Sequence, residues 1–237
     1  MVLDTVVYHP TLLKLIKYLD ATAGREKSLR LIQYLVRFLS FQVKQAGYPL
    51  ALFQLLKNLQ NQAAFIRKAL RFLKPLNHLQ DAAKAFDNKL SDSILRHSIV
   101  LKNIAYIGYL SLDSLAWFKI LGLVSTKTFS KAPKYANWFW FAGLLAGLVN
   151  DLRKITITNS QISSISNVEG NEKSQDKMKA VQVENYKATR KLVWDSLDFF
   201  VVLNNLGFLR NSEGAIGLAG TITSVLGVQD VWGATKI

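Results

Sequence analysis

Nearly every apolar stretch of this chain repeats with a helical period, and this regularity restricts the chain to an all-α fold. Leucine, isoleucine and valine recur at steps of three or four residues, which places them on one face of a helix. A convincing two-residue alternation, the pattern of a half-buried strand, does not occur. The sequence therefore predicts an all-α bundle of amphipathic and apolar helices.

Charge is distributed unevenly along the chain. Residues 1–134 carry 20 Lys and Arg against 7 Asp and Glu, whereas residues 135–237 carry 10 against 9. The net charge of +14 therefore lies almost entirely in the front half, and half of all residues are hydrophobic. A basic front half joined to a neutral, apolar back half indicates an anionic surface as partner, either nucleic acid or lipid.

One segment carries the most informative chemistry, residues 65–90 with the sequence FIRKALRFLKPLNHLQDAAKAFDNKL. Its apolar residues share one helix face, and its cations lie mostly opposite. Such a helix suits an anionic bilayer, where apolar side chains enter the acyl boundary and cations meet phosphates. The residues predicted to bind lipid are Ile66, Arg67, Lys68, Leu70, Arg71, Leu73, Lys74, Leu76, Leu79, Lys84 and Phe86.

Two alternatives stay open for this segment. A solvated helix on a globular core shows the same periodicity and charge pattern. A continuous helix of about 25 residues would be some 37 Å long. Pro75 lies inside the segment, however, and predicts a kink or a new helix start, so residues 65–74 and 76–90 can also form two helices at an angle.

Two uncharged runs of 16 residues, 135–150 and 214–229, are the candidates for crossing a membrane. Both are shorter than the roughly 20 residues that a spanning helix normally needs, so these runs allow no span, or one or two short transmembrane helices. Aromatic residues near the first run fit an interfacial anchor, and its two glycines have the spacing that lets helices approach closely. A core contact would use the same residues. The predicted oligomer or membrane contacts are Trp138, Trp140, Gly143 and Gly147.

The sequence predicts four regions along the chain. Residues 1–134 form a basic amphipathic helical region, and residues 135–158 form an apolar hairpin or membrane helix. Residues 159–180 are rich in Ser, Asn, Gln, Glu and Lys, and this composition predicts a disordered polar linker. Residues 181–237 form a C-terminal helical or membrane region.

Catalysis, cofactor binding and nucleic-acid binding find little support. The three histidines, His9, His78 and His97, lack metal-ligand spacing, and we expect them to be structural or surface residues. Phosphate-binding glycine motifs, acidic metal patterns and cysteines are absent from the sequence. Nucleic-acid binding lacks a helix-turn-helix signature, zinc spacing or an arginine-rich arm. We therefore expect no enzyme, no catalytic or metal site, no cofactor and no nucleic-acid partner.

Six segments make the chain similar to one known family, the fungal peroxin-eleven proteins of the peroxisomal membrane, which elongate the organelle before it divides. Residues 67–90 match the family's membrane-remodelling helix, whereas residues 41–64 and 159–179 do not match the family. The six segments are 24–39 (GREKSLRLIQYLVRFL), 67–90, 101–113 (LKNIAYIGYLSLD), 137–155 (NWFWFAGLLAGLVNDLRKI), 201–210 (VVLNNLGFLR) and 224–232 (SVLGVQDVW).

The resemblance implies an all-helical peroxisomal membrane protein that promotes peroxisome proliferation and fission. It also implies self-association into a homo-oligomer and stimulation of a dynamin-related GTPase. We expect the basic amphipathic helix to enter one leaflet of an anionic phospholipid membrane, where it acts as a wedge. The family has also been linked to a metabolite pore, so a non-selective metabolite channel of the peroxisomal membrane is the alternative function.

Overall fold

The computed structural model describes residues 7–89, 92–166 and 172–236. Within these ranges there are helices and connecting turns but no strand, so the all-α prediction is confirmed. The helices are α1 (Pro10–Asp20), α2 (Thr22–Gln45), α3 (Leu50–Leu70), α4 (Lys74–Asp87), α5 (Ser93–Ile120), α6 (Ala132–Ser166), α7 (Glu172–Leu206) and α8 (Glu213–Ala234).

Local signals in the sequence determine where several helices begin. Pro10 occupies the first turn of α1, and the Nδ1 atom of His9 accepts a hydrogen bond from the backbone N–H of Thr11 at 3.2 Å. Helix α3 starts directly after Pro49. The carboxylate of Asp92 accepts hydrogen bonds from two backbone N–H groups in the first turn of α5, at 3.0 and 3.1 Å.

The helices form two compact units. The first unit contains α1, α2, α3, the end of α5 from Ser114 and α8. The second contains α4, most of α5, α6 and α7. Each unit combines stretches from different parts of the sequence, so the two units do not coincide with the four regions predicted along the chain.

Helix α2 is the centre of the first unit and packs against α1, α3 and α8. It runs antiparallel to α8, since Gly214 lies against Phe41 while Gly220 lies against Tyr34. Gly214, Gly217 and Gly220 recur at every third residue of α8, and all three lie in close contact with α2.

The second unit is built on the long pair α6 and α7. Helix α5 joins this pair through polar contacts: Lys102 donates to the carboxylate of Asp195 in α7 at 2.9 Å, and Asn150 in α6 donates to Ser98 at 2.8 Å. Arg153 of α6 pairs with the capping residue Asp92 at 2.8 Å.

The predicted disordered linker, residues 159–180, needs correction. Residues 159–166 belong to α6 and residues 172–180 to α7, while 167–171 lie outside the described residues. The serines in this part of α6 donate to backbone carbonyls three or four residues earlier, as Ser160 does to Thr156 and Ser163 to Asn159. Asn185 of α7 donates to Thr158 and Asn159. A polar composition is therefore compatible with helix here because neighbouring backbone and side-chain groups satisfy the polar atoms.

One helix in the described part of the chain is long and apolar enough to cross a membrane. This helix is α8, which contains the predicted apolar run 214–229. The other predicted run, 135–150, lies inside the 35-residue helix α6, where charged and polar residues follow it. Of the two runs predicted as possible spans, only 214–229 therefore lies in a helix that qualifies as a candidate span by length and composition.

Candidate membrane interface

The segment predicted to bind lipid forms two helices instead of one. Helix α3 ends at Leu70, and α4 begins at Lys74 with Pro75 in its first turn. Proline has no backbone N–H, so it is tolerated where that group would lack a helical partner. The break predicted at Pro75 is confirmed, and a continuous wedge of 37 Å is excluded because α4 has 14 residues and a length of about 21 Å.

Helix α4 has three distinct faces. Its inward face carries His78, Ala82 and Ala85, which are buried or half-buried. Its polar face carries exposed residues such as Asn77 and Lys84. The third face is apolar and open. Together with Leu73, the N-cap residue directly before α4, it carries four residues between 59 and 65% exposed: Leu73, Leu76, Leu79 and Phe86. We call these four residues the α4 apolar stripe.

The inward face holds α4 in a defined orientation. The Nδ1 atom of His78 lies 2.8 Å from Oδ1 of Asn103 in α5, and the His78 ring stacks on Tyr106 with 5.2 Å between ring centroids. Both contacts lie within the second unit. Because the His78 side contacts α5, the α4 apolar stripe faces away from α5 and is exposed.

The structure places Arg67 inside the first unit, away from the surface where the sequence predicted it. The side chain is 6% exposed, and its guanidinium donates to Glu26 Oε1 at 2.8 and 3.0 Å and to Gln33 at 2.6 Å. Burial and repulsion from Arg71 lower the pKa of Arg67, an effect that Glu26 opposes. In this arrangement Arg67 has a structural role in joining α3 to α2.

The other predicted lipid contacts fall into two groups by exposure. Ile66 and Lys84 are exposed. Four further predicted contacts, at the end of α3, in the turn that follows it and at the start of α4, are half-buried: Lys68, Leu70, Arg71 and Lys74. Ile66, Lys68 and Leu70 belong to the first unit, whereas the α4 apolar stripe belongs to the second.

Three of the predicted oligomer or membrane contacts pack against helices of the same chain. A Cβ atom on Gly143 would lie 3.2 Å from the Tyr106 ring, and one on Gly147 would lie 2.6 Å from the Asp195 carboxylate. Trp140 is buried and stacks on Tyr109 with 5.6 Å between centroids. Only the fourth, Trp138, is exposed, so the glycine face is occupied here by α5 and α7 instead of a second copy.

A buried polar cluster lies beside Gly147 in the second unit. Asp195 of α7 accepts hydrogen bonds from Lys102 and Lys191 and is buried. Asp151 of α6 is also buried, and burial together with repulsion from Asp195 raises its pKa to about 6. The close packing at Gly147 lets Lys102 reach Asp195 across α6. This cluster ties α5, α6 and α7 together.

Sequence reasoning missed the acidic partner of Arg67 and the direction of the apolar residues in α2. Glu26 was one of the few acids in the basic half of the chain, and this scarcity was the available signal. Ile32, Leu35 and Leu39 of α2 are exposed, although helical periodicity alone would place them in a core. Periodicity shows which residues share a face but not what that face contacts.

Comparison with known proteins identifies the family. The family model for peroxisomal biogenesis factor 11 (PEX11) matches residues 12–232. The chain is 48% identical to the peroxisomal membrane protein PMP27 of Saccharomyces cerevisiae, over 99% of this chain and 100% of that protein. It is 36% identical to PMP30B of Candida boidinii, over 100% of both chains. With peroxisomal biogenesis factor 11 of Schizosaccharomyces pombe the identity is 23%, over 94% of this chain and 96% of that protein.

No solved structure matches the chain. The named relatives are peroxisomal membrane proteins and biogenesis factors, a family without enzymatic activity, and this agrees with the expectation that the chain is not an enzyme. The chain belongs to the peroxisomal biogenesis factor 11 family and is a protein of the peroxisomal membrane.

Proposed function

We propose that this protein remodels and elongates the peroxisomal membrane by inserting the α4 apolar stripe into one leaflet, which promotes peroxisome proliferation and fission. The observation that carries the proposal is the orientation of α4. Its four large apolar side chains are 59–65% exposed, while the opposite side of the helix packs on α5. A water-facing helix normally has the reverse arrangement.

The energetic argument rests on the area that the stripe removes from water. Full burial of a leucine or phenylalanine side chain contributes roughly 1.5–3 kcal/mol. Transferring the exposed part of four such side chains into the acyl boundary therefore contributes roughly 4–7 kcal/mol per helix. This free energy is available only when the helix lies parallel to the membrane plane, since the stripe runs along its length.

Insertion at the head-group level expands one leaflet relative to the other and so favours positive membrane curvature. Lys84 on the polar face of α4 supports this orientation, because it is exposed and can meet anionic phosphate groups. One helix of about 21 Å bends a membrane little, so the proposal requires many copies at high density.

The proposed partners follow from this requirement. An anionic phospholipid membrane is the direct partner of α4. Homo-oligomers would concentrate the wedges, and Trp138 is the one of the four predicted contacts whose side chain is exposed. A dynamin-related GTPase would complete fission, as the family resemblance suggests. A metabolite channel stays the alternative prediction.

The test uses full-length protein reconstituted into anionic liposomes at a fixed protein density, with tubules counted by electron microscopy. Leu76→Glu and Leu79→Glu each place a charge on the α4 apolar stripe, and we expect both to abolish tubulation. The matched control is Asn77→Glu, which adds the same charge to the exposed polar face of the same helix. This control should tubulate like the wild type.

Circular dichroism before reconstitution shows whether each variant has kept its helical fold. The wild type should also tubulate less as the anionic lipid is replaced by neutral lipid. Wild-type tubulation by folded Leu76→Glu and Leu79→Glu proteins would show that α4 is not the wedge.

A further inference from the structure

The middle of helix α2 buries charged and polar side chains beside Tyr34 and Val36, and it leaves three large apolar side chains exposed. Its buried residues include Glu26, Arg30 and Ser40. Its exposed residues include Ile32, Leu35 and Leu39, which follow the spacing of one helix face and are 39–40% exposed. In water this arrangement exposes apolar area while it removes charges from solvent, and both effects are unfavourable.

The charges on α2 are directed towards other helices of the first unit. Glu26 pairs with Arg67 of α3 at 2.8 Å. Arg30 donates to Oγ1 of Thr223 in α8 at 2.9 Å. Ionisable groups inside a membrane face the interior of a helix bundle and pair with one another, because lipid provides no hydrogen-bonding partners. These contacts on α2 therefore have the form that a lipid environment requires.

The contact between α2 and α8 is also of a kind found between membrane helices. Three glycines of α8 lie against α2, and a Cβ atom on Gly217 would lie 2.6 Å from the backbone nitrogen of Phe38. Small residues that let two backbones approach closely are enriched in such interfaces. Thr223 and Ser224 continue the same buried face of α8.

The register of the two helices places their exposed apolar residues at the same level. Gly217 lies against Phe38 and Gly220 against Tyr34. The exposed face of α8 carries Leu218, Ile222 and Val225, which lie along the same stretch of α8 as the contacts to α2. Because the helices are antiparallel, residues 218–225 of α8 lie level with about residues 30–37 of α2, which include Ile32 and Leu35. Leu39 lies directly beyond this stretch, next to Phe38, which contacts Gly217.

We propose that α2 is a second membrane-embedded helix, which lies beside α8 at the same depth and exposes Ile32, Leu35 and Leu39 to lipid acyl chains. Helix α8 is the candidate span by its own composition. A membrane that surrounds the exposed face of α8 also reaches the level of α2 at which these three side chains lie. The occupant of the exposed α2 face is therefore the hydrocarbon of the bilayer.

Hydropathy does not select α2 because its helix also contains Arg25, Glu26, Lys27, Arg30 and Arg37. A sliding average counts these charges at full cost, although Glu26 and Arg30 are buried against α3 and α8. Arg37 pairs with Glu213 at 2.8 Å, and Glu213 is the first residue of α8. This pair lies at one end of α8, where a membrane surface is expected.

The test exploits the absence of cysteine from the chain, since any introduced thiol is then unique. Three single variants of the full-length protein are reconstituted in liposomes: Leu35→Cys on α2, Leu218→Cys on the exposed face of α8, and Gln45→Cys at the exposed end of α2. A membrane-permeant maleimide reaches water on both sides of the bilayer but reacts only with ionised thiols, which form poorly in hydrocarbon.

We expect the cysteines at 35 and 218 to react at least tenfold more slowly than the cysteine at 45, and all three to react equally in denaturing detergent. Equal rates at 35 and 45 in liposomes would overturn the proposal. A fluorophore attached to the cysteine at 35 then shows whether lipid or another protein surface covers the exposed face of α2. Quenching by lipids with brominated acyl chains supports the proposal. Slow labelling without quenching would mean that another protein surface covers α2, and would also overturn it.

Discussion

Arg67 and Glu26 form an ion pair inside the first unit, and both side chains are less than a tenth exposed. Two hydrogen bonds from the guanidinium to one carboxylate oxygen, and a third to Gln33, offset part of the free energy lost when both charges leave water. Removing one partner leaves the other as a buried charge, which is far more costly than the pair is stabilising. The pair therefore determines how α3 sits on α2.

The first prediction concerns this pair. Arg67→Ala should lower the free energy of unfolding by about 3–5 kcal/mol, because it leaves Glu26 buried without its main partner. Lys84→Ala, which removes an exposed cation from α4, should leave stability unchanged and weaken binding to anionic liposomes. Thermal unfolding in detergent measures the change in stability, and a liposome-binding assay measures the change in lipid binding. If the Arg67→Ala protein had normal stability and bound lipid more weakly, Arg67 would be a lipid contact at the membrane surface, and its structural role would be contradicted.

The second prediction concerns pH and Asp151. Burial and the neighbouring Asp195 raise the pKa of Asp151 to about 6 in the folded protein, whereas an unfolded aspartate ionises near pH 4. Between these values the folded state holds a proton that the unfolded state has lost, so this group contributes less stability as the pH rises through this window.

The total change from Asp151 is on the order of 2–3 kcal/mol. The Asp151→Asn protein should lack this pH-dependent change in stability. It should therefore be more stable than the wild type at pH 7 and as stable as the wild type near pH 4. Denaturant unfolding at several pH values gives the difference between the two proteins. A difference that does not vary with pH would show that Asp151 titrates normally.

At the scale of a helix, α8 has one side that packs closely on α2 and another side that is apolar and exposed. One side carries Gly214, Gly217 and Gly220 in close contact with α2, and the other carries Leu218 and Ile222, which are exposed. Glycine lowers the stability of a helix, but a residue without Cβ is needed where the backbones of α2 and α8 come this close. In the part of the chain that the structure describes, this side of α8 stays exposed, which is what contact with lipid requires.

The third prediction tests the glycine contact. Gly217→Ala would place a Cβ atom 2.6 Å from the backbone nitrogen of Phe38, so α2 and α8 must separate. We expect a loss of roughly 1–3 kcal/mol in the free energy of unfolding, the range for overpacking a close contact. Gly233→Ala in the same helix is the control, since no atom lies within 4 Å of its added Cβ. Equal stability of the two variants would contradict the close contact.

At the scale of the whole molecule, the protein presents apolar area to its surroundings from helices in both units. In the first unit α2 and α8 do so, and in the second unit α4 does so. Contiguous exposed apolar area of this kind marks a site that meets a membrane or another protein. This agrees with the membership of a family of peroxisomal membrane proteins.

The fourth prediction is that the protein resists extraction from membranes by alkaline carbonate, as a protein in which the candidate span α8 crosses the bilayer would. Ile222→Lys places a charge on the exposed face near the middle of α8, at a cost of about 2.5–3.5 kcal/mol for insertion. We expect this variant to shift markedly into the soluble fraction. Gln54→Lys, on an exposed position of α3, serves as the control and should stay in the membrane pellet. Complete release of the wild type by alkali would contradict a spanning α8.

Much of the fold could be predicted from local sequence alone. The helical period, the prolines and the capping residues are properties of neighbouring positions, so the helices, the break at Pro75 and the face shared by Leu76, Leu79 and Phe86 were all predictable. Composition misled the prediction for residues 159–180, because polar helices look like linkers when the partner helix is unknown.

Only the tertiary structure decided what each helix face contacts. The inward direction of Arg67, the outward direction of Leu35 and the partner of Gly217 depend on residues far away in sequence. Periodicity determines which side chains share a face, because the helix geometry is local. It does not distinguish protein, lipid or water as the neighbour of that face, because the packing of distant helices determines which of them is present.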